Sequence, residues 1–190
     1  RTMPERFRSM YDPDLIELPP NFMSAHPFDN GELPIRDELL AGFPRTHAET
    51  RRHISEYFAM ISHLDFEIGR ILDLLDKRNL TESTLVVLAG DNGLALGQHG
   101  LFGKQSCYEH SIRVPLVLSG PEVHSARRDE SLFLYDILPT LCDYAGIGVP
   151  DSVGGMSFIS LLGNNPSAYD ERDELYFAYK RSEERRVGKE

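Results

Sequence analysis

The sequence predicts an α/β fold in which a mostly parallel sheet is flanked by helices. Two short apolar runs carry this prediction, residues 85–89 (LVVLA) and 114–118 (VPLVL). Neither run alternates apolar with polar residues, and such runs are typical of strands buried on both faces. A long helical pattern precedes the first run, and a helix that leads into a buried strand is half of an α/β unit.

Composition limits the class of protein. The 190 residues, 41% hydrophobic, suit one domain or a piece of a larger one. A net charge of -10 argues against broad nucleic-acid or anionic-membrane binding. No run approaches the ~18 apolar residues of a membrane span, and Cys107 and Cys142 match neither a disulfide framework nor a zinc spacing. The chain begins with Arg1 in a polar segment, so we expect a fragment, and its localisation is left open.

Residues 1–44 are predicted to be a loop-rich excursion that lines a cleft. This segment holds seven of the 12 prolines, and proline fixes φ and removes a backbone donor. Apolar side chains scattered through it indicate an ordered segment lying over the body. His26 and His47 could line the cleft, although surface histidines are the commoner explanation.

Residues 45–79 are predicted to form one long helix. Thr46 with Glu49 three residues later is a capping box, and Asn79 is the expected stop. Apolar residues recur at steps of three and four and form one stripe. They are Ile54, Phe58, Ile61, Leu64, Ile68, Ile71, Leu72 and Leu75.

The C-terminal part is predicted to contain a short helix and a strand. Asp136 is the expected cap of a helix that Gly146 ends, and residues 174–179 (ELYFAY) are a candidate strand. We divide the chain into the excursion (1–44), an α/β core (45–150), the start of a small C-terminal subdomain (151–180) and a candidate non-native tail (181–190).

The loop between the two apolar runs opens with Asp91, Asn92 and Gly93. Ligands bind at the carboxyl ends of strands in open α/β sheets. A carboxylate beside an amide oxygen suits Ca²⁺ or Mg²⁺ rather than zinc, and Gly93 would permit the turn that aims both at one point. Taken alone, the three residues are more typical of an ordinary turn, since Asp-Asn-Gly is among the commonest turn sequences.

Two further side chains in this loop favour an oxyanion site. His99 offers a proton carrier and Lys104, thirteen positions after Asp91, a fixed cation. A metal with a lysine supplies charge stabilisation to a tetrahedral oxyanion. Gly97, Gly100 and Gly103 are expected to bring backbone close to whatever binds. Taken singly, a solvated lysine and a turn histidine remain open alternatives.

The pattern DNG…LGQHGLFGK…YEHSIRVPL, with the flanking phrases MYDPDLIELPPNF, LD-x-x-IG and YDILPTLCDYAGI, resembles the sulfatases of the alkaline-phosphatase-like superfamily. The resemblance runs from about residue 10 to residue 179, and it implies part of that superfamily's sandwich fold. It implies that Asp91 and Asn92 are two ligands of a divalent cation, usually Ca²⁺, and that Lys104 is a catalytic residue that contacts the sulfate and the leaving-group oxygen. For His99 it leaves substrate contact and loop structure as alternatives.

One departure from the family pattern bears on mechanism. Sulfatases use a formylglycine made within a C-x-P/A-x-R motif, and neither Cys107 nor Cys142 has that context. The resemblance therefore implies a formylglycine upstream of this fragment, in a missing N-terminal part of the same enzyme. The implied substrate is a sulfate ester, with a sulfated carbohydrate as one class, and the family implies a periplasmic, secreted or lysosome-like location.

Two alternatives stay open. One is a phosphodiesterase or phosphonate monoester hydrolase of the same superfamily, against which Asn92 weighs slightly because two-metal phosphatases typically place a histidine there. The other is a non-catalytic relative that binds sulfated glycans. The upstream nucleophile would distinguish both from a sulfatase.

Overall fold

A computed structural model describes residues 3–29, 33, 35–163, 165–179 and 183–188. The chain divides into two compact units. Unit 1 comprises Arg1–Thr81 and Asn92–Val114, and unit 2 comprises Glu82–Asp91 and Pro115–Glu190. These units cut the chain differently from the boundaries expected at residues 44, 150 and 180, which remain predictions.

Unit 1 is built on the predicted long helix. Helix α2 spans His47–Lys77, and the Thr46 hydroxyl caps it by accepting the N–H of Glu49. Asn79 adopts a left-handed φ of 55° just beyond the end, a conformation that stops a helix and that asparagine tolerates. Both expected ends of the helix are therefore confirmed.

Among the described residues of the predicted apolar stripe of α2, Ile54 alone is buried. Phe58 is 40%, Leu64 58% and Ile71 61% exposed. Periodicity identifies which face of a helix is apolar, but it carries no information about what covers that face. Within the described residues, the stripe beyond Ile54 is only partly covered.

The excursion contacts α2 through residues near its N-terminal end. Its helix α1 (Glu5–Arg8) buries Phe7, whose ring stacks 4.8 Å from that of His63. The Tyr11 hydroxyl lies 2.7 Å from the Ser62 hydroxyl. These contacts place aromatic side chains of the proline-rich segment against the helix instead of in solvent.

Unit 2 contains the two predicted central strands, β1 (Val86–Ala89) and β2 (Leu116–Ser119). They pair with each other antiparallel, with Val86 opposite Ser119. The apolar runs favoured strands buried on both faces of a parallel sheet, but the strands are antiparallel, and Leu88 is 43% and Val117 55% exposed. The pattern therefore predicted the positions of the strands but neither their direction nor their burial. β2 starts after Pro115, consistent with the lost backbone donor of proline.

Two short helices pack beside this strand pair, α4 (Ile137–Ala145) and α5 (Ile159–Leu162). The centre of the core consists of Phe158, Leu161 and Leu162. Gly146 ends α4 with a left-handed φ of 68°, as expected of a C-terminal glycine. The described helices and strands together confirm the α/β class.

Asp136 does not cap α4 with its side chain, contrary to the prediction. The carboxylate instead accepts the N–H groups of Phe133 at 2.7 Å and Met156 at 2.8 Å. Arg172 donates to both of its oxygens. A buried carboxylate needs several donors, and two of these, Met156 and Arg172, lie 20 and 36 residues away in sequence, where no local pattern reveals them.

The predicted strand at 174–179 is β3 (Glu174–Tyr179), and it pairs antiparallel with β4 (Glu183–Gly188). Sequence patterning left this tail unassigned, and its origin stays a prediction. Across the described residues, no helix is both long and apolar enough to cross a membrane.

Candidate functional site

The two expected metal ligands follow β1 directly. The Gly90 N–H donates to the Pro115 carbonyl at 3.1 Å, which continues the pairing of the strands by one residue. Asp91 is the last residue of the first segment of unit 2, and Asn92 is the first residue of the second segment of unit 1. Asp91 is exposed and Asn92 is half-buried.

Gly93 is required for a reason other than the one expected. Its φ lies outside the left-handed region. Its N–H donates to the Ser111 carbonyl at 2.9 Å, and a Cβ at this position would lie 1.9 Å from the His110 carbonyl oxygen. The glycine therefore permits close approach to helix α3 (Glu109–Ile112), not a special turn.

The donor set suits a hard cation but is small. Asp91 and Asn92 offer carboxylate and amide oxygens, the ligands that Ca²⁺ and Mg²⁺ prefer. Among the described residues, no group of three His, Cys, Asp or Glu side chains gathers to hold a metal. Because Ca²⁺ takes about six to eight oxygen ligands, these two residues fit as part of a coordination shell only.

The loop that carries His99 and Lys104 is a narrow turn. The Ala95 N–H donates to the Gly103 carbonyl at 2.9 Å, and the Gly97 N–H to the Leu101 carbonyl at 2.8 Å. Gly97 and Gly100 adopt φ values of 96° and 77°, which favour glycine. The backbone conformation of the turn thus depends on its glycines.

Gly97 and Gly100 pack against protein, not against an open site. A Cβ at Gly97 would lie 2.7 Å from Cγ2 of Thr50, and one at Gly100 would lie 2.4 Å from the carbonyl carbon of Ala25. The expectation that these two glycines leave backbone accessible to a ligand is therefore not met. They let the excursion and α2 close on the loop.

His99 is held by hydrogen bonds from the excursion. Its N–H donates to the Asn21 carbonyl at 2.9 Å, and its carbonyl accepts from Nδ1 of His26 at 2.8 Å. The Asn21 amide nitrogen lies 3.1 Å from Nε2 of His99 and, as a donor, makes that nitrogen an acceptor. This geometry favours loop structure over substrate contact, and a catalytic role stays a prediction.

Tyr108 and His110 extend the surroundings of His99 into an aromatic cluster. The ring of His99 stacks on Tyr108 at 4.3 Å, and Tyr108 stacks on His110 at 5.5 Å. Burial, with smaller effects of the charges of His99 and His26, lowers the pKa of His110 to about 4. His110 is therefore neutral at pH 7.

Lys104 lies at the end of the turn with an exposed side chain. The backbone N–H of Lys104 donates to Oε1 of Gln105 at 3.0 Å, and Nε2 of Gln105 donates to Asp37 at 2.9 Å. The pKa of Asp37 lies below its usual value, chiefly because Gln105 and Arg36 donate hydrogen bonds to the carboxylate. The nearby charges of Arg36 and Lys104 lower it further. In the described chain, no hydrogen bond joins Lys104 to His99.

Sequence reasoning missed the residues beneath this turn. Glu38 and Arg45 are buried and contact the turn from more than fifty positions away in the chain. No periodicity or spacing links partners at such separations. The available signal was the pair of consecutive acids, Asp37 and Glu38, within a proline-rich segment.

Comparison with known proteins identifies the family. Residues 19–147 match the family described as Sulfatase. The chain is 36% identical over 150 residues to choline-sulfatase of Rhizobium meliloti (strain 1021), covering 77% of this chain and 29% of that protein. The chain spans 22% to 34% of the length of the curated relatives it matches.

Solved structures agree with this assignment. One, a complex with its substrate D-glucosamine-2-N,6-O-disulfate, aligns at a TM-score of 0.62 and 30% identity, over 72% of this chain and 28% of that one. Phosphonate monoester hydrolase of Agrobacterium radiobacter aligns at 0.74 and 25% identity, over 92% and 38%. Together with the α/β elements and the family match, these similarities show that the chain belongs to the sulfatase family of the alkaline-phosphatase-like fold.

Proposed function

We propose that this chain forms one wall of the active site of a sulfuric ester hydrolase. Asp91 and Asn92 are two oxygen ligands of a divalent cation, Ca²⁺ or Mg²⁺, and Lys104 contacts the sulfate. The observation that carries the proposal is the match to the sulfatase family over residues 19–147, a range that contains all three side chains.

The chemistry assigned to these residues is stabilisation of negative charge. A divalent cation at such a site neutralises charge on the ester oxygens. Lys104 lies on a turn whose backbone is held by hydrogen bonds. The backbone position from which its side chain reaches the sulfate is therefore fixed. Fixed charges act most strongly where charge develops in the transition state.

The attacking group is proposed to lie outside these 190 residues. Neither Cys107 nor Cys142 has the C-x-P/A-x-R context of a formylglycine precursor. We therefore expect the purified chain to hydrolyse no aryl sulfate. Turnover of a fluorogenic aryl sulfate that disappears in a Lys104→Ala variant would contradict this placement of the nucleophile.

Metal binding provides a direct test of the ligand assignment. We expect calorimetric titration of the chain with Ca²⁺ to show weak binding, because two protein ligands are few for this ion. Asp91→Ala should abolish the binding, whereas Asp129→Asn, a change at an exposed ion pair, should leave it unchanged. Equal binding by Asp91→Ala and the unchanged chain would refute the assignment.

The proposed substrate class is a sulfated carbohydrate. Support comes from the solved structural relative that carries D-glucosamine-2-N,6-O-disulfate as its substrate. The longer protein encoded around this chain should then release sulfate from sulfated monosaccharides. Hydrolysis of phosphonate monoesters in preference to these sugars would reverse the assignment.

Phosphonate monoester hydrolysis is the second candidate function. The structural match that favours it covers 92% of this chain, against 72% for the sulfated-glucosamine complex. Asn92 favours a sulfatase, since a two-metal phosphatase typically has histidine beside the aspartate. The nucleophile in the surrounding reading frame separates the two: C-x-P-x-R for a sulfatase, and a lone Thr or Ser for the alternative.

A third candidate is a degenerate relative that binds sulfated glycans without turnover. It would keep the cation ligands and lack a nucleophile in the whole gene. Loss of glycan binding in Asp91→Ala, together with no sulfate release by the longer protein, would favour it over both enzymes.

A further inference from the structure

A buried ion pair lies beneath the turn that carries Lys104. Glu38 is 5% exposed and Arg45 2% exposed, and Nη2 of Arg45 donates to Oε2 of Glu38 at 2.6 Å. Burying two charges is costly unless their remaining hydrogen-bonding groups are satisfied. The hydrogen-bond partners of these remaining groups indicate the structural role of the pair.

Arg45 uses its other donors on backbone carbonyls. Nη1 donates to the carbonyl of Glu38 at 2.9 Å and to that of Ala41. Nε donates to the carbonyl of Gly100, within the turn, at 3.2 Å. The guanidinium therefore ties the turn to the segment 38–41 and fixes the orientation of the Glu38 carboxylate.

Both oxygens of the Glu38 carboxylate accept hydrogen bonds from the turn itself. Oε2 accepts the N–H of Phe102 at 2.9 Å, and Oε1 accepts the N–H of Gly103 at 2.8 Å. Lys104 is the next residue. Two consecutive backbone groups directly before the lysine are thus held by one buried negative charge, and such charge-assisted hydrogen bonds are stronger than neutral ones.

Asp37 continues this arrangement by one residue. It accepts Nε2 of Gln105, and Oε1 of the same amide accepts the N–H of Lys104. Of three consecutive backbone N–H groups, those of Phe102 and Gly103 therefore bind Glu38 directly, and that of Lys104 is connected to Asp37 through the Gln105 amide.

Gly103 is matched to the carboxylate. A Cβ at Gly103 would lie 2.6 Å from Oε1 of Glu38, closer than van der Waals contact permits. Because Arg45 restrains the carboxylate, the side chain cannot move aside freely. A side chain at position 103 would therefore displace the carboxylate oxygen that accepts the N–H before Lys104.

We propose that Glu38, held by Arg45, is a positioning residue that fixes the backbone at Lys104 and so the point from which its ammonium group meets a sulfate oxygen. The Glu38 clasp comprises Glu38, Arg45 and the N–H groups of Phe102 and Gly103. This inference rests on the proposed sulfate-contacting function of Lys104. Misplacement of a charged group by about 1 Å is enough to weaken its effect on a bound anion.

Amide hydrogen exchange on the whole 190-residue chain tests the clasp without any ligand. Glu38→Gln keeps the shape but leaves one acceptor oxygen for two N–H groups. We expect exchange at Phe102 and Gly103 to become about ten- to a hundredfold faster, as loss of charge-assisted hydrogen bonds requires. Unchanged exchange at these two amides in the folded variant overturns the proposal.

The matched control is Asp136→Asn in unit 2. Asp136 is also a buried carboxylate that accepts two backbone N–H groups and pairs with an arginine. The Asp136→Asn variant should leave amide exchange at Phe102 and Gly103 unchanged. If Glu38→Gln does not fold, Gly103→Ala replaces it, since this variant disturbs the clasp without removing a buried charge. Unaltered exchange at Phe102 in Gly103→Ala also overturns the proposal.

Titration with inorganic sulfate in the presence of Ca²⁺, followed at the Lys104 resonances, tests the consequence for the anion. We expect Glu38→Gln to weaken the saturable response about tenfold, and Asp136→Asn to leave it unchanged. Equal responses of Glu38→Gln and the unchanged chain overturn the positioning role.

The Lys104→Ala variant separates the inference from the function on which it rests. With this variant, the sulfate response is followed at Gly103. If the response persists without the lysine, the proposed sulfate contact fails and Glu38 has no charge to position, even where the exchange result holds. If Lys104→Ala abolishes the response and Glu38→Gln does not change it, only the positioning role fails.

Discussion

The backbone of Gly93 lies directly against the backbone of His110. The carbonyl oxygen of His110 would be 1.9 Å from a Cβ at Gly93, and the neighbouring Ser111 carbonyl accepts the Gly93 N–H at 2.9 Å. The segment that starts with Asn92 is therefore anchored to α3 through main-chain atoms, and no side chain fits between them.

We expect Gly93→Ala to lower the free energy of unfolding by about 1–3 kcal/mol, since a new Cβ forces the two backbones apart. Urea denaturation measures the change. Gly69→Ala in α2 is the control: nothing lies within 4 Å of a Cβ there, and replacing a mid-helix glycine should stabilise by about 1 kcal/mol. Similar effects of the two substitutions would contradict the close approach at Gly93.

The buried ion pair of unit 2 gives a second prediction. Asp136 is 0% exposed and receives Arg172 at 2.5 and 2.6 Å. Arg172→Ala leaves this carboxylate without its charged partner, and we expect a loss of about 3 kcal/mol in chemical denaturation. Arg127→Ala, at an exposed pair with Asp129, should change stability by less than about 0.5 kcal/mol. A loss no larger than that of this control would argue against the buried pair.

The lowered pKa of Asp136 predicts that the folded chain loses stability at low pH. Burial alone would raise the pKa of Asp136, but the hydrogen bonds from Arg172, Met156 and Phe133 outweigh it and hold the pKa below the usual 3.8. The unfolded chain then binds a proton that the folded chain rejects, so stability is present above pH 3.8 and is lost as the pH falls through the folded pKa. Denaturation midpoints measured across this range should decline less steeply in Asp136→Asn, and parallel declines would be inconsistent with this assignment.

The lowered pKa of His110 has a consequence at milder pH. Its neutral form is favoured in the folded chain, with a pKa of about 4 against the ordinary 6.5. Between these values the unfolded chain binds the extra proton, so stability falls as the pH drops from 6.5 towards 4. NMR titration of the imidazoles should find a His110 midpoint near 4.

His99→Gln tests the cause of this shift. Burial is the largest contribution and the charge of His99 the next, so the His110 midpoint should rise in the variant but stay below 6.5. A midpoint already near 6.5 in the unchanged chain would mean that His110 is solvated.

The N-terminus of α2 gives a simpler prediction. The Thr46 hydroxyl accepts the Glu49 N–H at 3.3 Å, so Thr46→Ala should cost about 1 kcal/mol of unfolding free energy. Thr46→Ser retains the acceptor and should recover most of it. A thermal melt in which both variants match the unchanged chain would show that the cap contributes nothing.

Patterns local in sequence predicted much of the fold. The 3.6-residue period and the Thr46 cap located α2, Gly146 located the end of α4, and apolar runs located β1 and β2. These features depend on propensity and on partners a few residues away, which a single sequence displays. Strand direction and the cover of each apolar face depend on distant partners, and here the sequence-based expectations were incomplete or differed from the structure.

The candidate site divides in the same way. The sequence by itself determined the family pattern, with Asp91, Asn92, His99 and Lys104 on one loop between two strands. The tertiary structure alone decided that Gly93 serves close packing, that His99 is tied to Asn21, and that Glu38 holds the turn before Lys104. The physical reason is that buried polar groups must find hydrogen-bond partners wherever the folded chain brings them, and those partners lie more than fifteen residues away in sequence.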